Sequence, residues 1–143
     1  MLMTSHRIEW SSEFNTGVKI IDEQHHKLIG MINDYGKDLL AGLGFKKIDI
    51  VLKEMVNYVK LHFTTEEGLM KKHEFQGYKE HKNIHDSFTL HLAEYIKRYH
   101  VGDRFLGLEV HRYLREWFVD YILNHTKYAD KDLGEYLNRR GIN

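Results

Sequence analysis

The chain has 143 residues, is 42% hydrophobic and 13% aromatic, and balances 21 basic against 21 acidic side chains. That is enough for one packed domain, and the balance excludes a basic nucleic-acid face or an acidic tail. The absence of Cys excludes disulfides, thiolate zinc sites and iron–sulfur clusters. No apolar run approaches the roughly 20 residues of a membrane span, and the N-terminus lacks a signal-peptide core, so the expected location is cytoplasmic.

Residues 1–17 show no clear period and read as an N-terminal arm, with Trp10 and Phe14 pinning it to the body. Proline is absent and Gly clusters supply the punctuation, at residues 42–44, Gly77 and Gly102. Four periodic segments lie between them. The first, 18–41, carries Ile21, His25, Leu28, Ile32, Tyr35 and Leu39. The second, 47–72, carries Ile48, Leu52, Met55, Val59, His62, Glu66 and Leu69. The third, 77–100, carries Tyr78, His81, His85, Phe88, Leu92, Tyr95 and Tyr99. The fourth, 104–125, carries Val110, Leu114, Phe118, Tyr121 and His125. Steps of three and four residues are the apolar stripe of a bundle helix. Short connections make neighbouring helices antiparallel.

The expected fold is therefore all-α: an up-down-up-down four-helix bundle with a short C-terminal helix around Leu133 and Leu137. As domain organisation this reads as one unit over 1–143, with the arm at 1–17, the bundle at 18–125 and a C-terminal segment at 126–143.

Polar residues on these stripes need a reason, because an unpaired buried polar group is costly. His25 lies early in the first helix, His62 and Glu66 late in the second, His81 and His85 early in the third, and His125 closes the fourth. In an antiparallel bundle these depths are one level. His62/Glu66 and His81/His85 are i,i+4 pairs on one helix face. His125 and Asp130 are five apart, so Asp130 is expected to turn back over the site. Five imidazoles and two carboxylates exceed one tetrahedral zinc. Two six-coordinate metals offer about twelve positions; five imidazoles, two bridging carboxylates and one bridging oxygen leave one empty. A thiolate-free, histidine-rich dinuclear site with one empty position suits iron and a small exogenous ligand.

Glu67 reads as a solvent-facing neighbour of Glu66 rather than a ligand, and His6, His26, His73, His91, His100 and His111 read as solvated. Tyr95 and Tyr99 read as packing.

Taken together, Trp10, the run from Gly17 to His25, the run from His62 to Met70, Tyr78-Lys79-Glu80-His81 with His85, and Trp117 before His125 and Asp130 resemble the hemerythrin family, specifically its single-domain bacterial members. The resemblance covers nearly the whole chain. It implies a cofactor of two iron ions with an oxo or hydroxo bridge and reversible O2 binding, for carriage, storage or delivery, without enzymatic turnover. It also implies that His81, His85 and His125 hold one iron, that His25 and His62 hold the iron with the open position, and that Glu66 and Asp130 bridge. The expected partners are O2 or small anions at that position, with no nucleic acid. Where the family usually carries an aliphatic residue after the last histidine, this chain has Thr126, a candidate residue of the O2 pocket. The same centre also suits a redox enzyme reducing peroxide or nitric oxide, or an O2 or redox sensor.

Overall fold

The computed structural model describes residues 7–119 and 129–143. Helix α1 spans Lys19–Leu40. Its first turn is fixed from inside: the Asp22 carboxylate accepts from the Thr16 amide at 2.9 Å, the Thr16 hydroxyl at 2.7 Å and the Gly17 amide at 3.2 Å. It ends at Gly42, whose φ of +77° is left-handed and favours glycine. There the Leu43 amide donates back to the Asp38 carbonyl, so the orphan carbonyls of the last turn are satisfied.

Helix α2 spans Gly44–Tyr58, a π-helical stretch spans Val59–Phe63, and α3 continues over Thr64–Lys72. Together they form the second rod of the bundle. α4 runs over Tyr78–His100 and α5 over Leu106–Glu116, with residues 117–119 continuing as π-helix. α6 spans Asp130–Arg139. α1, the α2–α3 rod, α4 and α5 pack as the antiparallel four-helix bundle that the stripes imply.

The π-helical stretch shifts the register that an unbroken alternation of three and four implies. Tyr58 is buried where the stripe put Val59, and Met70 is buried where it put Leu69; Val59 and Leu69 are only half-buried. The extra residue of a π-turn rotates the rod around His62, and such turns are frequent at functional sites. The turn before α4 also differs from its glycine signal: the left-handed residue is Glu74, with φ of +54°, while Gly77 is right-handed.

Two apolar clusters divide the interior. The larger runs through Leu28, Ile32, Tyr35, Met55, Phe63, Phe88, Leu114, Trp117 and Phe118. The smaller joins Val18, Ile21, Met70, Phe75, Leu133 and Leu137. Along α1, His25 falls between Ile21 and Leu28; along α3, Glu66 falls between Phe63 and Met70. The polar layer is therefore sandwiched between two dry ones.

The arm docks as its aromatic residues suggest. Phe14 meets Phe118 edge-on at 4.8 Å and Trp10 stacks on His26 at 3.6 Å. The Asn33 side chain brackets Ile8, accepting from its amide at 2.8 Å and donating to its carbonyl at 3.0 Å.

Helix α6 is seated on the arm through Gly134, where an added Cβ would lie 2.2 Å from the Thr16 carbonyl oxygen. A backbone atom cannot swing aside, so Gly134→Ala should displace α6 and cost about 1–3 kcal/mol, the range for overpacking. Urea denaturation measures this; a wild-type midpoint would show that α6 is not held by this contact.

Candidate metal centre

Each rod delivers its polar residues by ordinary helical spacing. α1 supplies His25, the π-helical stretch His62, α3 Glu66, and α4 both His81 and His85, one turn apart. α6 opens on Asp130, which does turn back over the site. All six are buried.

They form two groups of four that share both carboxylates: His25, His62, Glu66 and Asp130, and Glu66, His81, His85 and Asp130. Within each group one atom from every residue lies within 4.8 Å of the others. Asp130 spans the groups, with Oδ2 at 3.1 Å from His25 Nε2 and Oδ1 at 2.9 Å from His81 Nε2. Glu66 Oε1 lies 3.4 Å from His62 Nε2, 3.2 Å from His81 Nε2 and 3.0 Å from His85 Nε2. His125 and Thr126 lie outside the described residues.

The donor set fits a pair of metal ions. Among the described residues, Glu66 Oε2, both ring nitrogens of His25 and His81 Nδ1 are buried without a hydrogen-bond partner; His25 Nε2 is close to Asp130 without the alignment of a hydrogen bond. Buried polar atoms are nearly always satisfied, and these sit among nitrogen and oxygen donors pointed at one another. Nitrogen with carboxylate oxygen, without thiolate, is the ligand chemistry of iron and its neighbours.

The charges depend on one another. Burial alone would keep Glu66 protonated, but the imidazoles of His62, His81 and His85 hold it well below the usual carboxylate range. Burial and Glu66 both oppose ionisation of Asp130, yet His25 and His81 hold its carboxyl low. Burial would lower His81, but Glu66 and Asp130 outweigh it and raise it to about 10. Burial lowers His62 to about 4 despite Glu66.

The surroundings of the inner residues include groups that stripe reading misses. Glu67 is not solvent-facing: its Oε2 accepts from His85 Nδ1 at 2.9 Å. Gln24 is buried and its Oε1 accepts from His62 Nδ1 at 2.7 Å. Aromatic rings close the walls: Phe63 stacks on His85 at 3.8 Å, Tyr58 on His62 at 4.8 Å, and Phe118 meets His25 edge-on at 5.9 Å. His111 is also buried rather than solvated, and its Nε2 donates to the Ile32 carbonyl at 3.2 Å. Its spacing of three from Leu114 was the available signal. It lies outside the polar layer and serves α1–α5 packing.

The chain resembles known proteins over most of its length. Residues 16–137 match the hemerythrin HHE cation binding domain. The bacteriohemerythrin of Pseudomonas aeruginosa is 35% identical over 80% of this chain and 74% of its own. That of Methylococcus capsulatus is 30% identical over 90% of this chain and 94% of its own. A crystal structure of a hemerythrin point mutant superposes with a TM-score of 0.78 at 29% identity, covering 90% of this chain and 95% of that one.

The histidine charges set a pH dependence for the metal-free protein. His81 is raised in the fold from 6.5 to about 10, so its contribution is fully present below pH 6.5 and is lost as pH rises toward 10. His62 is lowered to about 4, so its contribution is lost as pH falls below 6.5. A metal needs both imidazoles neutral. The urea midpoint of the metal-free chain should fall between pH 7 and 9, and metal loading should abolish that fall. A midpoint independent of pH over this window without metal would contradict the assignment.

Proposed function

The chain belongs to the hemerythrin family, and from that membership we propose that it holds two iron ions and binds O2 reversibly at one of them. The observation that carries this reading is the division of the buried donors into two groups with both carboxylates in common. On this reading Glu66 and Asp130 would be shared by the two irons, His25 and His62 would hold the one that takes O2, and His81 and His85, with His125, would hold the other. The iron pair, when bound, supplies the redox chemistry by which O2 is taken up and released.

The chain's own contribution is orientation and exclusion of water. Glu66 and Asp130 bring negative charge to the middle of the layer, where cations favour it. Phe63, Tyr58 and Phe118 cover the imidazoles they contact, and an apolar shell limits solvent access and with it the delivery of stray protons. Carriage, storage or delivery of O2 is the use that aromatic rings packed on the imidazoles favour over catalysis. No described helix is long and apolar enough to cross a membrane.

Metal analysis and absorption test the reading together. Native protein should carry two irons per chain, show oxo-bridged di-iron absorption in the near ultraviolet, and change spectrum reversibly on removing and restoring O2. His85→Ala should lose the pair while keeping most of its helical circular dichroism, because apolar packing carries the bundle. One zinc per chain without such absorption would defeat the proposal. Rapid turnover of peroxide or nitric oxide with a reductant would instead favour a redox enzyme.

A further inference from the structure

Among the described residues, two side chains outside the inner donor set hold imidazoles from behind, and they differ in charge. Glu66 and Glu67 are adjacent on α3, and α4 passes His85 between their carboxylates. His85 Nε2 faces Glu66 at 3.0 Å while Nδ1 donates to Glu67 at 2.9 Å. On the other side of the layer the partner is neutral. His62 Nδ1 donates to Gln24 Oε1 at 2.7 Å.

The orientation of that amide follows from its neighbours. The Thr65 hydroxyl donates to the Leu61 carbonyl at 2.7 Å, so its oxygen is left to accept from Gln24 Nε2 at 3.1 Å. Gln24 Oε1 is thereby turned toward His62, and the proton of His62 lies on Nδ1. Both rings thus present Nε2 inward, by different means. Glu67 is half-buried, and among the described residues the lysine beside it is Lys82, whose ammonium is 4.0 Å from Oε1 and pairs more closely with Asp86 at 3.0 Å. The Glu67 charge is therefore only partly offset.

Resting on the iron-pair reading above, we infer that Glu67 and Gln24 are positioning residues for His85 and His62, and that their difference in charge makes the His85 side of the centre favour the higher oxidation state more strongly than the His62 side. A carboxylate or an amide oxygen behind a ligating imidazole fixes its tautomer and raises its basicity, and the charged carboxylate does so more strongly. Added negative charge near a metal favours its more positive state. The open side is then the one whose iron more readily keeps its reducing electron.

Three variants of the full-length, iron-loaded protein separate grip from charge. Glu67→Gln keeps an acceptor for His85 and removes the charge. It should keep two irons and raise the reduction potential by about 59 mV, a tenfold change in a one-electron equilibrium. Gln24→Glu adds a charge behind His62 and should lower the potential by a similar amount. Glu67→Ala removes the grip and should weaken iron retention against a chelator by about 10- to 100-fold. Wild-type retention in Glu67→Ala would overturn the positioning role. Loss of iron from Glu67→Gln, or unmoved or same-direction potentials in the two charge variants, would overturn the charge asymmetry. In both cases a wild type with two irons leaves the proposed function standing, whereas a wild type without an iron pair takes both down.

Discussion

Two buried carboxylates govern this molecule. Glu66 is fully enclosed and Asp130 nearly so, and an isolated carboxylate in such a place would neutralise itself rather than bear the desolvation cost. Here four described imidazoles stand within 3.4 Å of one or the other. In the absence of a cation, the only compensation those imidazoles offer is to take up protons, and His81 is the one whose value is driven far up. A pair of metal ions resolves the same conflict with every imidazole neutral. The layer is thus a poor structural core and a good cation site, and its neighbours are arranged accordingly.

Those arrangements explain the division of the interior. An apolar cluster lies on each side of the polar layer along the bundle, so the imidazoles are held between two packed sets of side chains. Aromatic rings are the tool where a ring must be held flat: Phe63 lies within 3° of parallel to His85, and Tyr58 within 16° of His62. The π-helical stretch has its place here too. Across it the buried positions Tyr58, His62, Glu66 and Met70 follow one another four residues apart, and Tyr58 stacks on His62.

The legible part of the site follows a simple rule. His62, Glu66, His81 and His85 stand out because they interrupt stripes at i,i+4 spacing, and the depth of each in an antiparallel bundle puts them on one level. The bundle itself is legible for the same reason, since an apolar stripe is redundant over many residues. The residues that support the site are not legible this way. Gln24 and Glu67 each sit one position from a donor, His25 and Glu66, and point to a ring on another helix. Nothing in the spacing of one helix announces a partner on the next. The shift from Val59 to Tyr58 is hidden similarly, because a π-turn costs one backbone step and leaves the composition unchanged.

Asp130 shows what the site takes from the local structure. It is the first residue of α6, and the preceding Ala129 makes no side-chain cap. Aspartate at a helix start ordinarily accepts from the free amides of the first turn. Here its two oxygens face His25 and His81 instead, at 3.1 and 2.9 Å, and α6 begins without a side-chain cap. What holds the helix in place is burial further along. Leu133 and Leu137 are fully enclosed in the smaller cluster, and Gly134 lets the backbone settle against Thr16. The same Thr16 is bound by Asp22 at the start of α1, one turn before His25. The seating of α6 and the entry of α1 are therefore one construction. It fixes Asp130 and His25 relative to each other, and a local preference is given up where two helices must meet over a shared charge.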